Sequence, residues 1–187
     1  MTITRAGESI DYTITFLEQT ERPAYPRPSV TGKAPTALLH GEKSPRWYFL
    51  SLYDAVGQAY EWVDAHSRDP AEVQDWLNAD TTMFYTLLRD GWPHGFFVLD
   101  RSEESTVELR YFGLVPEAIG QGLGTYLLRT AVHMAWDIEG TRRVFLSTCT
   151  LDHPRALQHY QKNGFQAYAQ ETRSRILTRE RDPSRFA

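Results

Sequence analysis

Cysteine is nearly missing from this chain: Cys149 stands alone among 187 residues. A lone thiol excludes an intramolecular disulfide and a cysteine zinc cluster, and it suits a reducing compartment. Long hydrophobic runs are lacking as well, since no apolar stretch approaches the ~20 residues that span a bilayer. The opening Met1-Thr2-Ile3-Thr4-Arg5-Ala6-Gly7-Glu8 carries no apolar signal region. These absences set the expectation of a cytoplasmic protein with no membrane contact. A basic excess is absent too: 20 Lys and Arg face 24 Asp and Glu, for a net charge of −4. That balance argues against a nucleic-acid partner. The histidines do not fall at metal-ligand spacing, because His153 and His159 are six apart and off a common helical face, so no metal is expected. Arg173, Arg175, Arg179, Arg181 and Arg185 gather near the end, where a solvated or frayed terminus is the expectation.

What is present reads as one globular domain over 1–187. The composition, 41% hydrophobic and 24% charged, is that of an ordinary soluble core-bearing chain. Polar and apolar residues alternate over 10–17, which predicts a strand. Glu21-Arg22-Pro23-Ala24-Tyr25-Pro26-Arg27-Pro28 denies a helix, because each proline removes a donor and fixes φ, so an extended loop should reach to about Thr36. Ser44-Pro45 predicts a capped helix start running to Ala55, and Asp69-Pro70 a second helix to Leu77. Strands follow over 82–89, 95–100 and 106–115, the first two separated by an Asp90-Gly91 turn. Leu123, Leu127, Ala131, Ala135 and Ile138 share one face of a helix that Gly140 should end. A strand over 143–149, a helix over 154–162 and a final strand or hairpin over 165–177 complete the order. The fold class is α/β (α+β): a mixed sheet with helices packed on it.

Gly120, Gly122 and Gly124 stand between a strand and an apolar-striped helix. Glycines allow close approach of the backbone, and the helix start presents free N–H groups and a positive dipole end, which together suit a pyrophosphate. The loop lacks Gly-Lys-Ser/Thr, so it is not a P-loop. Thr125 stands where a dinucleotide fingerprint needs a third glycine, and three strands precede the loop.

Leu114-Val115-Pro116-Glu117-Ala118-Ile119-Gly120-Gln121-Gly122-Leu123-Gly124 resembles the coenzyme A motif of the GNAT acetyltransferase superfamily. Further on, His153-Pro154-Arg155-Ala156-Leu157-Gln158-His159-Tyr160-Gln161-Lys162-Asn163-Gly164-Phe165 resembles the second motif of that superfamily. The resemblance covers about 82–170; residues 10–80 share the general layout and would form part of the acceptor side. It implies a GNAT-like, mostly antiparallel sheet flanked by helices. It also implies a coenzyme site at Leu114, Val115, Ile119, Gly120, Gln121, Gly122, Leu123, Gly124, Thr125, His153 and Ala156. Two positions depart from the pattern: Ile119 replaces Arg or Gln, and His153 replaces Asn.

The resemblance implies N-acetyl transfer from acetyl-CoA to a primary amine, on a small molecule or on a peptide or protein, by direct attack in a ternary complex. Such transfer needs a neutral amine, donors for the developing oxyanion and a proton for the departing thiolate. The backbone at Leu114 and Val115 is implied as the oxyanion donor, with the strand expected to break its pairing near Gly113. Glu108, fourteen residues before Gly122, is implied as the base. Water, His153 and Asp152 stand as alternatives. Tyr160 is implied as the acid. Cys149 is expected to be a packed, inert thiol. Trp47, Tyr48, Tyr53, Tyr60, Trp62 and Trp76 are expected to border the acceptor site while mostly forming core, with Glu61 and Asp64 as attractors of a cationic amine. Trp92 and His94 are further candidates there. A homodimer is an expected state. The alternative reading is a non-catalytic acyl-CoA-binding regulatory module.

Overall fold

The computed structural model describes residues 3–30 and 32–182. Strands β1 (Ser9–Gln19) and β2 (Thr36–His40) precede helices α1 (Arg46–Gly57), α2 (Asp64–Ser67) and α3 (Pro70–Asn78). Strands β3 (Thr82–Arg89), β4 (Trp92–Asp100) and β5 (Thr106–Leu114) follow, then α4 (Leu123–Asp137), β6 (Arg143–Cys149), α5 (Ala156–Lys162) and β7 (Gln166–Ile176). All seven strands form one sheet in the order β2-β3-β4-β5-β6-β1-β7, and β5 with β6 is its parallel pair. The mixed, mostly antiparallel sheet flanked by helices is the architecture expected from the order of elements.

Local chemistry explains most boundaries. Asp90 and Gly91 both take positive φ, so β3 turns tightly into β4, which therefore begins at Trp92 rather than at Gly95. Asp69 caps α3 by accepting from the N–H groups of Ala71 (2.8 Å) and Glu72 (3.4 Å). Ser44 does not cap α1 as expected: its hydroxyl donates to Gly41, and the Gln74 side chain accepts the Arg46 N–H instead at 2.8 Å. β2 begins where the expected loop ends, in a stretch with no element expected. It is a short edge strand with no buried residue, and Thr36-Ala37-Leu38-Leu39-His40 does not alternate polar with apolar, so periodicity carries no signal for it.

Two faces of the sheet are covered. α1 and α3 bring Phe49 and Trp76 onto Phe84, Phe96 and Tyr111. α4 buries Leu127, Leu128 and Ala131 against the other face, where Leu109, Val107 and Val144 are also buried. The proline-rich segment straps α4: Arg22 and Arg27 both pair with Asp137, and Arg129 lies over the Tyr25 ring. The chain end is not frayed through residue 182. Glu61, buried and at φ +61°, accepts from the N–H of Thr178 and of Arg179, and Arg181 donates to the carbonyls of Thr150 and Leu151. Arg185 lies outside the described residues.

β5 contains a bulge. Val98 pairs with Tyr111 but Leu99 pairs with Leu109, leaving Arg110 as the extra residue. Strict alternation would put Glu108, Arg110 and Phe112 on one face. The bulge instead puts Tyr111 beside Glu108 and Arg110, on the α1 face, and sends Phe112 to the other side.

Candidate active site

A cleft opens where two strands part. β5 and β6 pair at Thr106↔Arg143, Val107↔Val144 and Glu108↔Phe145. Beyond Glu108, β5 stays with β4 as far as Leu114, and β6 stays with β1 as far as Cys149. The parting thus begins after Glu108, five residues before Gly113, where the break is expected. A cleft of about 750 Å³ fills the wedge and continues over the adjoining loops.

One main-chain donor faces this wedge and its neighbour does not. The Val115 N–H donates to the His94 carbonyl at 3.0 Å, and the Val115 carbonyl accepts from Ala118 at 2.9 Å. Alternation along the strand turns the Leu114 N–H to the opposite edge, the one β6 has left. Of the two backbone positions expected to hold the coenzyme arm, Leu114 therefore has a donor to offer. At Val115 the N–H and the carbonyl both have partners within the fold, so it has no free donor to offer.

The glycine loop forms the adjoining wall. Gly120 (φ +84°) and Gly122 (φ +76°) occupy the left-handed region, and no atom lies within 4 Å of where a Cβ would stand on either. Gly122 precedes α4 with no side chain taking the first-turn N–H groups and no acid in that turn. Open main-chain donors at the start of a 15-residue helix make an anion cradle. Ile119, Gly120, Gly122, Gly124 and Thr125 line the cleft, as do His153 and Ala156 across from them. Gln121 turns its amide to the Glu117 carbonyl, and Leu123 is buried in the core, so these two offer main chain only. His153 accepts the Arg155 N–H at Nδ1 (3.1 Å); burial, and secondly Arg155, hold its pKa below the usual imidazole range.

Glu108 and Tyr160 both line the cleft. Burial pushes the Glu108 pKa up, Arg110 opposes this at 3.4 Å, and Asp100 and Glu103 push further upward. Tyr160 is buried between Phe112 and Phe165, and burial keeps its phenol protonated far above the usual range, helped by Asp152. Burial likewise pushes the Cys149 thiol up to about 11, leaving an inert protonated group. Asp152 is committed elsewhere: it accepts from Thr148, the Cys149 N–H and the Trp62 indole. That ties the loop before α5 to β6 and leaves Asp152 poorly placed as a base. Among the described residues, no group of three or more His, Cys, Asp or Glu side chains could hold a metal ion, and no helix is long and apolar enough to cross a membrane.

Of the aromatic candidates, Tyr60 and Trp62 line the cleft, while Tyr48, Tyr53 and Trp76 pack with the core. Trp47 is 68% exposed away from the cleft, and Trp92 and His94 stack on each other at the far hairpin. Glu61 belongs to the chain-end anchor described above. Tyr111 was not a candidate in sequence, since only the bulge brings it to this wall. Its hydroxyl donates to one oxygen of Asp64, and the Tyr53 hydroxyl donates to the other, each at 2.6 Å.

The model of the acetyltransferase (GNAT) family matches residues 49–165. No curated protein matches the sequence. Among solved structures, the chain is similar to a functionally unknown conserved protein from Staphylococcus epidermidis (16% identity, 90% of this chain and 63% of that one, TM-score 0.61). It is similar also to a GCN5-related N-acetyltransferase from Kribbella flavida (18% identity, 92% of this chain and 58% of that one, TM-score 0.56). A third is an aminoglycoside acetyltransferase from an uncultured soil metagenomic sample (18% identity, 69% of this chain and 87% of that one, TM-score 0.55). At these identities the likeness is one of fold. The chain spans less than two thirds of the length of the first two.

Proposed function

The chain belongs to the acetyltransferase (GNAT) family, and from that premise we propose that it transfers an acetyl group from acetyl-CoA to a primary amine by direct attack in a ternary complex. The observation that carries this reading is the parting of β5 from β6 beside the glycine loop. A slot with an unpaired strand edge on one wall and open helix N–H groups at its end fits a pantetheine arm and a pyrophosphate.

When bound, the coenzyme would supply an activated thioester. Gly120, Gly122 and the first turn of α4 would hold its phosphates, with His153 and Ala156 alongside. The Leu114 N–H would donate to the thioester carbonyl and, more strongly, to the oxygen as charge develops there. Glu108, its pKa raised toward neutrality, would take the proton of the incoming ammonium, directly or through water. Tyr160 would give a proton, or a hydrogen bond, to the leaving sulfur. Burial supports that role by keeping the phenol protonated at every working pH.

The acceptor we propose is an amine of a small molecule or a peptide. The test is a thermal-shift titration with acetyl-CoA, using NAD as control, followed by thiol release with an amine panel. Ligand binding to the native state must raise the melting temperature by linkage. A rise with acetyl-CoA and none with NAD is expected, and no rise at millimolar acetyl-CoA overturns the reading. Tyr160→Phe should keep the coenzyme shift and lose about 100-fold or more in kcat, the usual range for a general acid. Unchanged turnover in that variant removes Tyr160 from the mechanism.

A further inference from the structure

Four carboxylates line the cleft, Glu61, Asp64, Glu108 and Asp152, and their charges are not equally spent. Glu108 is countered by Arg110. Glu61 accepts from Thr178 and Arg179 and has Arg175 at 4.0 Å. Asp152 holds three neutral donors from Thr148, Cys149 and Trp62. Asp64, like Asp152, has no cation within ion-pair distance among the described residues, but it is more exposed and accepts from one donor fewer, the phenols of Tyr53 and Tyr111. Arg110, the nearest cation along β5, is already shared between Glu108 and Asp100.

The two phenols make Asp64 a rigid acceptor. Each oxygen is held by one hydroxyl, so the carboxylate cannot rotate freely, yet roughly half of its four lone-pair sites remain open. Tyr53 is fully buried, and burial pushes its pKa and that of Tyr111 upward, so both stay donors at any working pH. Asp64 itself is exposed to the cleft, and Trp62 and Tyr60 line the same space. A fixed, uncompensated carboxylate among aromatic faces is chemistry that recognises a cation.

The reacting amine is poorly suited to that position, because it must give up its proton before it attacks and a carboxylate paired with its ammonium would oppose that loss. We infer that Asp64 anchors a second, non-reacting positive group of the acceptor, so that the preferred acceptor class is a diamine or polyamine rather than a monoamine. Asp64 is then a specificity-determining residue, its orientation set by Tyr53 and Tyr111. This rests on the proposed acetyl-transfer function.

The test uses the whole chain and matched probes: 1,4-diaminobutane against 1-aminobutane, with longer α,ω-diamines as a length series. Binding is read by thermal shift in the presence of CoA, and turnover by thiol release from acetyl-CoA. The wild-type protein is expected to favour a diamine over the matched monoamine by about tenfold or more in kcat/KM, the scale of one hydrogen bond to a charged group. The preference should appear mainly in KM and shrink with added salt. In Asp64→Asn the ratio of diamine to monoamine should fall toward one while the acetyl-CoA shift persists. A purely structural Asp64 would lower the melting temperature and leave the ratio unchanged. Equal response of the wild-type protein to both probes, in binding and in turnover, overturns the inference without need of a variant. So does a diamine preference that survives in Asp64→Asn. A missing acetyl-CoA shift takes down the proposed function and this inference with it, whereas an intact shift without diamine preference takes down this inference alone.

Discussion

Glu108 illustrates how one carboxylate draws its chemistry from its neighbours. Burial raises its pKa first, Arg110 pulls it back, and the carboxylates of Asp100 and Glu103 raise it again. A base with a raised pKa works better near neutrality and stops working when acidified. The acidic limb of kcat/KM should therefore fall as pH drops below that raised value, and Glu108→Gln should abolish the limb. A limb that survives the substitution would assign the proton to water. The shift also has a sign for stability. A carboxyl raised in the fold contributes stability that is present below its unfolded pKa and is lost as pH rises through the folded one. Glu108→Gln should accordingly flatten part of the decline in melting temperature over that rise, measured across a pH series.

At the scale of the element, β5 does most to build the site. Its bulge at Arg110 brings Tyr111 to Asp64 on the cleft wall, and its parting from β6 frees the Leu114 edge. Its Gly113 sets how closely α1 can approach. A Cβ on Gly113 would lie 2.2 Å from Val56 Cγ1, and Val56 is 3% exposed on a packed helix. Gly113→Ala should thus overpack the contact and cost about 1–3 kcal/mol. Denaturant melts would measure it, and Val56→Ala in the same chain should recover part of the loss, because the two changes share one contact. A neutral single variant, or additive costs in the double one, would show that α1 does not rest on this glycine.

Across the whole molecule, the proposed coenzyme slot is a gap in an otherwise continuous sheet. Backbone amides at such a gap lack a strand partner and should exchange quickly, while the paired interior exchanges only by larger openings. Acetyl-CoA should slow hydrogen exchange in residues 109–124, which span the parted edge and the glycine loop, and leave the β3–β4 hairpin and α3 unchanged. Protection spread evenly over the chain would point to general stabilisation instead of occupancy of this slot. The strap over α4, held by Arg22, Arg27 and Asp137, lies on the far side and should not respond.

The sequence by itself determined the order of all elements but β2 and α2, the fold class and the family, because these rest on local signals. Periodicity marks a strand or a helix, Asp69-Pro70 and Asp90-Gly91 mark a start and a turn, and two glycine-bearing motifs stand in order. It was silent wherever a long-range partner decides. β2 has no polar–apolar alternation because, at the sheet edge, it buries no residue, and the α1 cap comes from Gln74, twenty-eight residues away from Arg46. Val115 looked equivalent to Leu114 until the His94 carbonyl claimed its N–H. Glu61 and Asp64 looked alike as acids near a cleft, yet one closes on the chain end and the other is held by two phenols. Tertiary structure alone made those assignments, because a bulge, a strand edge and a shared carboxylate are properties of paired segments, and no single segment carries them.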